Sequence, residues 1–241
     1  MKIARRIRNF VWVMLLMAGS IAVYVSMASH RQHPYLTLGI LALAAASSRM
    51  KVKLPGINGN MSVNLPILLT AILTLSAAEA LVITYVSTAV QCWPGKNRKF
   101  NSQQITFNLS MMAFATAIAS MLSRGLAGNA SPLQQSLALV FAAAALFFGQ
   151  SVPVAGIIAV SETKRFWQVW SELAQLSFPY YLVSAGVTSM VQAVGDHLGW
   201  GLALGVFPLM YVIHRSYRIY FSRMVESKQA TVLVKAAGAG S

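Results

Sequence analysis

The chain has 241 residues, of which 56% are hydrophobic and only 10% are charged, and its formal net charge is +14. Soluble domains carry about 25% charged residues, so this composition excludes an ordinary soluble enzyme, a disordered chain and a disulfide-stapled domain. The single Cys92 excludes an internal disulfide. We therefore expect an all-α integral membrane protein.

Apolar segments of spanning length recur along the whole chain. A helix needs about 20 apolar residues to cross a hydrocarbon core about 30 Å thick. The sequence predicts one polytopic transmembrane helical bundle of about eight helices, 1–228, followed by a flexible tail, 229–241. The first helix is interpreted as uncleaved, although its basic start also fits a signal peptide. The predicted helices are 9–29, 34–48, 62–75, 77–93, 103–123, 133–160, 173–194 and 198–214.

The stretch 61–93 is too long for one span and carries a single charge, Glu79. Ser76 and Glu79 have the spacing of a capping box, in which each side chain accepts the other residue's backbone amide. This pattern predicts a break between two helices, although one re-entrant hairpin remains an alternative. At the start of this stretch and just before it, turn residues and alternating polarity at 51–64 predict a small β-hairpin.

The distribution of Lys and Arg predicts the orientation. With the N-terminus inside, 17 of the 19 Lys and Arg residues fall on the inner side, and only Arg31 and Arg124 fall outside. The positive-inside rule therefore favours the cell inner membrane, with both termini cytoplasmic. The excess charge faces anionic lipid headgroups of the bilayer, so no nucleic-acid partner is expected.

Several amides lie inside otherwise apolar segments, where each needs a hydrogen-bond partner. They either join neighbouring helices or line a pocket for a small neutral ligand. Gly149, Pro153 and Gly156 predict a kink or break in the sixth helix that opens space beside Gln150. Asn108 and Gln150 are the preferred pocket residues. The ligand-binding candidates are Asn108, Gln150, Gln104 and Gln192.

Three of the four histidines and two of the five carboxylates lie at the predicted outer side. These residue types bind transition metals or sense protons near pH 6, although interfacial histidines are also common without either role. The possible pH or metal cluster is His30, His33, His197, Asp196 and Glu79. No His-Glu-x-x-His, Gly-x-Ser-x-Gly or phosphate-binding loop is present. We therefore expect no catalytic residues, no enzymatic activity and no cofactor.

The chain after His214 forms an amphipathic pattern. Tyr217, Phe221 and Met224 belong to one apolar stripe with helical spacing, and no Gly or Pro interrupts it. The pattern predicts that the last helix continues into the cytoplasm as an output helix. The stripe offers a contact for a second copy or for a soluble output domain. A surface helix held by anionic headgroups is the alternative.

Five parts of the chain also share the pattern of a known family. The relevant stretches are Val52-Lys-Leu-Pro-Gly with Met61-Ser-Val-Asn-Leu-Pro, Leu75-Ser-Ala-Ala-Glu-Ala80, Phe107-Asn108-Leu-Ser, Ser161-Glu162 with Trp167-x-x-Trp170-x-Glu172, and Tyr217-Arg-Ile-Tyr-Phe-Ser-Arg-Met. Together they resemble the N-terminal multi-spanning module that precedes HD-GYP or GGDEF output domains in bacterial cyclic-di-GMP signalling proteins. The resemblance covers about 35–228.

The resemblance implies a membrane sensory or scaffold module that signals through its C-terminal helix. The sequence contains no HD pair, GYP or GGDEF motif after Lys228. The resemblance therefore implies no catalytic residue in this chain. A small-molecule transporter subunit or substrate-binding membrane component is the alternative. No charged residue falls in the middle of a predicted span, where ion-coupled carriers often hold one.

Overall fold

The computed structural model is a helical bundle with one small hairpin. It describes residues 2–27, 34–53, 60–93, 101–126 and 131–198, together with 211–212, 215–216, 219–220 and 222. The elements are α1 (Lys2–Met27), α2 (Pro34–Ser47), β1 (Lys51–Lys53), β2 (Asn60–Ser62), α3 (Leu65–Thr74), α4 (Ala77–Cys92), α5 (Ser102–Leu126), α6 (Pro132–Glu162) and α7 (Phe166–Leu198).

The predicted all-α bundle is confirmed. Seven helices lie in the described residues at the positions of the first seven predicted segments. The eighth, 198–214, falls largely outside the described residues, although 211–212 are helical. The hairpin expected at 51–64 is also confirmed, because β1 pairs antiparallel with β2 and Val52 lies opposite Met61.

Three described helices are long and apolar enough to cross a bilayer. They are the segments Arg5–Val25, Ser102–Leu126 and Pro132–Glu162 of α1, α5 and α6. The helices α2, α3 and α4 are apolar but shorter. Exposed large apolar side chains, such as Leu16 and Val140, lie on the spanning helices and suit a lipid environment.

The break between α3 and α4 lies where the capping box predicts it. The Ser76 side chain accepts the amide of Glu79, and a Glu79 carboxylate oxygen accepts the amide of Ser76 at 2.8 Å. Leu75 ends α3 in an extended conformation. With ten residues, α3 is only about 15 Å long, so it covers about half of a hydrocarbon core.

The helix α5 lies between two packed groups of helices. Its Ala113 and Ala117 belong to a cluster with residues of α1 and α4, whereas Ala115 and Ala119 belong to the main core. All four alanines are fully buried. Small side chains let helix backbones approach closely, so these alanines allow α5 to pack tightly against its neighbours on both faces.

Of the kink or break predicted in the sixth helix, the break is wrong. The helix α6 is continuous from Pro132 to Glu162, with Pro153 inside it. A proline removes only one backbone bond, and packing by neighbouring helices can keep such a helix intact in a membrane protein. Gly149 serves a different purpose, because a methyl group added there would lie 2.7 Å from Ala115 Cβ. The glycine therefore permits close packing on α5.

Candidate functional site

The polar groups around the α3–α4 break form a connected set, here called the α3–α4 junction: Thr37, Leu75, Ser76, Glu79 and Arg124. The hydroxyl of Thr37 donates to Glu79 Oε1 at 2.7 Å, and the other carboxylate oxygen accepts the Ser76 amide. Arg124 Nη2 donates to the Leu75 carbonyl at 2.8 Å. The junction therefore joins α2, the α3–α4 break and the end of α5.

The junction contains one negative and one positive side chain, Glu79 and Arg124. Glu79 attracts Arg124 electrostatically, and both groups are partly buried. Backbone groups at helix ends need partners outside their own helix. Arg124 supplies one for the end of α3, and Glu79 supplies one for the start of α4. The sequence predicted the Ser76–Glu79 part of this arrangement but not the contribution of Thr37 or Arg124.

The other end of α3 is fixed to two neighbouring helices. The amide of Leu65 donates to the Tyr180 hydroxyl at 3.2 Å. Thr188 Oγ1 shares its one proton between the Ser184 carbonyl of its own helix at 2.8 Å and the Pro66 carbonyl at 3.2 Å. Tyr180 and Thr188 both belong to α7. Asn64, just before α3, donates from Nδ2 to Ser48 Oγ at the end of α2 at 3.2 Å. These contacts hold the start of α3 in a defined register against α7.

The whole first part of α3 is inaccessible. Every residue from 65 to 72 is buried, and α3 packs against α2, α4, α5, α6 and α7. A short helix enclosed in this way has no lipid-facing surface along those residues. In membrane proteins, discontinuous helices of this kind often lie next to substrate sites. Helix α3, with polar contacts at both ends, is therefore the candidate functional element.

A second row of polar contacts fixes α4 against α5. Asn108 Nδ2 donates to Cys92 Sγ at 3.3 Å, and the hydroxyls of Thr84 and Thr116 lie 3.0 Å apart. Asn108, Thr116 and Arg124 are spaced eight residues apart along α5. Their partners are Cys92, Thr84 and Leu75, in the opposite order along the chain. The helices α4 and α5 therefore run antiparallel. Asn108 therefore forms a hydrogen bond between two helices, the role that the sequence analysis gave as the alternative to ligand binding.

The remaining amide candidates have different surroundings. Gln150 Nε2 is buried and has no hydrogen-bond partner among the described residues. Gln104 is exposed at the start of α5, and Gln192 is half-buried in α7. The described contacts do not join Asn108 to Gln150. A pocket that uses both amides stays a prediction, and Gln150 is the better-supported member because its amide is unsatisfied.

Helices α5 and α6 form an open apolar groove of about 410 Å³. Neither Asn108 nor Gln150 lines it, so this groove is not the predicted polar pocket. Its wall carries almost only carbon, which suits acyl chains or an apolar side chain. The lining residues are Phe114, Ile118, Leu122, Phe141, Ala144, Ala145, Phe148, Gly149, Val152 and Pro153.

The aromatic residues of α6 and α7 brace the helix that holds α3. The Phe147 ring makes edge contacts with Phe178 and Tyr181 at centroid distances of 5.8 and 5.2 Å. Trp170 Nε1 donates to Ser151 Oγ at 3.2 Å. These contacts lie along the α6–α7 interface, and their α7 members run from Trp170 to Tyr181. Sequence analysis did not identify Tyr180, because an aromatic residue in an apolar segment gives no sign of its hydroxyl partner.

Most of the predicted pH or metal cluster lies outside the described residues. This applies to His30, His33 and the side chain of Asp196, while His197 is exposed near the end of α7. The described residues contain no group of three or more His, Cys, Asp or Glu suited to a metal ion. The cluster with Glu79 therefore stays a prediction.

The predicted output helix is described only in part. Tyr217, Phe221 and Met224 lie outside the described residues. The adjacent Ile219 and Tyr220 are helical and exposed. Helical structure beyond Arg215 is consistent with a continuing helix, and the apolar stripe itself stays a prediction.

Comparison with known proteins adds no assignment. No protein-family model, curated protein or solved structure matches the chain. The resemblance to the membrane module of cyclic-di-GMP signalling proteins therefore rests on the sequence stretches alone. The candidate site is defined by its geometry: a short buried helix, a charged junction at one end, and side-chain hydrogen bonds to α7 at the other.

Proposed function

We propose that this chain is an inner-membrane sensory module that couples a small neutral ligand to its C-terminal helix. The observation that carries the proposal is the position of α3. One end of α3 is held at the α3–α4 junction by Arg124, and the other end is hydrogen-bonded to α7 by Tyr180 and Thr188. A displacement of α3 therefore acts directly on α7.

The direction of the chain supports this route. Helix α7 leads into the C-terminal region, where residues 219–220 are helical and the sequence places the apolar stripe of Tyr217, Phe221 and Met224. A shift or rotation of α7 reaches that stripe through the predicted eighth helix, 198–214, and changes how the stripe meets a second copy or a soluble output domain. This is the arrangement expected for the sensory module of HD-GYP or GGDEF proteins.

The ligand-binding part of the proposal depends on unsatisfied buried polar groups. Leaving a buried amide unpaired costs about 1–3 kcal/mol, and Gln150 Nε2 has no described partner. The hydroxyl of Ser184 on α7 is in the same condition. A small neutral ligand with hydrogen-bonding groups offers partners to such atoms without bringing a charge into the bundle.

A transporter subunit is the second candidate. Discontinuous helices next to a polar residue also occur in transporters, and α3 is a short buried helix in a bundle that contains the unpaired Gln150. The two functions differ in their output. A transporter moves solute across vesicles, whereas a sensory module changes an attached domain without net transport.

The coupling test fuses a diguanylate cyclase domain after Lys228 and measures cyclic-di-GMP formation in membranes. Tyr180→Phe and Thr188→Val, which remove the α3–α7 hydrogen bonds, should change the basal output by several-fold at equal protein level. Tyr35→Phe is the matched control, because Tyr35 is 91% exposed. Unchanged output in both α7 variants would contradict the coupling, and solute uptake by vesicles would favour the transporter.

The orientation is tested separately with reporter fusions. A periplasm-active reporter should be active after Gly128 and inactive after Lys228, because the charge distribution puts these positions on opposite sides. A cytoplasm-active reporter should give the reverse pattern. Activity of one reporter at both positions would contradict an inner C-terminus and the output route that depends on it.

A further inference from the structure

One end of the bundle carries a set of exposed cations, here called the basic patch: Arg5, Arg6, Arg8, Lys164 and Arg165. The three arginines lie on the first two turns of α1, and all three are exposed. Lys164 and Arg165 lie in the short turn between α6 and α7 and are also exposed. The patch therefore combines residues that are more than 150 positions apart in the sequence.

The packing of Phe10 brings these two groups to the same level. The Phe10 ring covers Gly156 of α6, because a methyl group added to that glycine would lie 3.5 Å from Phe10 Cζ. Its centroid is also 6.1 Å from that of Phe107, near the start of α5. Farther along α1, Ala18 and Val25 pack with α4 and α5 instead. The start of α1 thus lies beside the end of α6.

Little negative charge opposes the patch. Lys164 forms an ion pair of 2.7 Å with Glu162, and this hydrogen bond raises the pKa of Lys164. Within the described residues, Arg5, Arg6, Arg8 and Arg165 form no ion pair with a carboxylate. With Glu162 and Glu172 counted against its five cations, the patch keeps a net charge of about +3 for an anionic partner.

The depth of the patch identifies that partner. Val11, the first buried residue of α1, is six positions from Arg5, which is about 9 Å along a helix. Trp167, two residues beyond Arg165, is 72% exposed. Exposed tryptophan beside cations at a span end is typical of the membrane–water interface. These features place the patch at headgroup depth, the level at which lipid phosphates lie.

We propose that the basic patch binds the headgroup of an anionic phospholipid, which bridges the start of α1 and the α6–α7 turn. Arginine binds phosphate oxygens in bidentate geometry, and two groups of cations suit a lipid with more than one phosphate as well as a singly charged one. The site is distinct from α3 and does not depend on the sensory function, so either proposal can fail while the other stands.

The test uses the full chain in detergent and in nanodiscs. Lipid retained after delipidation is measured by native mass spectrometry, with phosphatidylglycerol, cardiolipin and phosphatidylcholine offered at equal concentration. Wild-type protein should retain the anionic lipids at least tenfold over phosphatidylcholine. The variant Arg5→Gln/Arg6→Gln/Arg8→Gln should lose about tenfold or more of that preference, because it removes three of the five cations that attract an anionic headgroup.

The matched control removes the same charge elsewhere on the predicted inner side. Arg49→Gln/Arg98→Gln/Arg215→Gln should change retention by less than twofold. Arg5→Lys/Arg6→Lys/Arg8→Lys should fall between the wild type and the glutamine variant, because lysine keeps the charge but not the bidentate geometry. Equal losses in both glutamine variants would overturn the site in favour of general attraction to the membrane surface. Equal retention of all lipids by the wild type would also overturn it, as would binding of an acidic peptide in discs that hold only phosphatidylcholine, without anionic-lipid retention.

Discussion

The hydroxyl of Tyr180 lies 3.2 Å from the amide nitrogen of Leu65, and this hydrogen bond joins residues 115 positions apart. It satisfies a backbone donor at the buried start of α3. The bond therefore does two things at once: it terminates a helix inside the bundle, and it attaches that helix to α7.

Tyr180→Phe tests this attachment through stability. The substitution removes only the hydroxyl and leaves the Leu65 amide buried without its partner, so we expect the free energy of unfolding to fall by about 1–3 kcal/mol. Thermal unfolding in detergent gives the measurement. Tyr35→Phe should leave the midpoint unchanged, because that side chain is exposed. An equal effect of the two variants would show that the bond to Leu65 contributes nothing.

The chain contains two capping boxes that differ in their surroundings. Ser76 and Glu79 cap α4 in a partly buried position with a further bond from Thr37, whereas Ser131 and Gln134 cap α6 in an exposed position. Loss of a cap costs about 0.5–2 kcal/mol. We expect Glu79→Ala to reach or exceed the upper end of that range and Gln134→Ala to stay near the lower end.

The measurement is again the unfolding midpoint of the two single variants at equal detergent concentration. Thr37→Val in the Glu79→Ala background should add little, because its acceptor is already gone. An additional loss as large as that of Thr37→Val alone would show that the two residues do not interact.

Gly149 permits a close approach of α6 to α5. A Cβ atom at this position would lie 2.7 Å from Ala115 Cβ and 3.0 Å from Ala115 Cα, so Gly149→Ala forces the helices apart. Overpacking of this kind costs about 1–3 kcal/mol. Gly186→Ala is the control, since nothing lies within 4 Å of a methyl group there. Combining Gly149→Ala with Ala115→Gly should recover part of the loss, and a loss that is equal at Gly186 would contradict the packing explanation.

Gln150→Leu tests whether the Gln150 amide lacks a hydrogen-bond partner in ligand-free protein, as the ligand-binding proposal requires. In ligand-free protein, the substitution removes a buried polar group that has no described partner, so the free energy of unfolding should stay constant or rise by about 1 kcal/mol. Asn64→Leu, which breaks the bond to Ser48, should lower it by a similar amount. If Gln150→Leu instead lowers it by about 2 kcal/mol, the amide has a partner even without added ligand.

The sequence predicted the parts of this fold that depend on local pattern. Apolar segment lengths located seven helices, the Ser76–Glu79 spacing located the α3–α4 break, and alternating polarity located the hairpin. Each of these features is determined by residues within about 30 positions of one another. The charged and amide residues were identified as polar groups in apolar surroundings, but their partners were not.

The parts that sequence reasoning missed depend on contacts between distant residues. Glycine and proline in the sixth helix indicated a break, yet the same Gly149 fits Ala115 of α5 and the helix continues. The role of Tyr180 follows from the position of Leu65, and that of Arg124 follows from the carbonyl of Leu75. Pairings of this type have no sequence period, so only the assembled bundle reveals them.

The four buried alanines of α5 have a mechanical consequence. Ala113 and Ala117 meet the cluster that includes α1 and α4, while Ala115 and Ala119 meet the main core on the other side. Long side chains absorb a neighbour's movement by changing rotamer, but alanine has no rotamer to change. A close-packed interior transmits strain, so these alanines make α5 a stiff element between its neighbours. A displacement of α1 therefore has two routes to α6: through the small side chains of α5, and through the direct packing of Phe10 on Gly156.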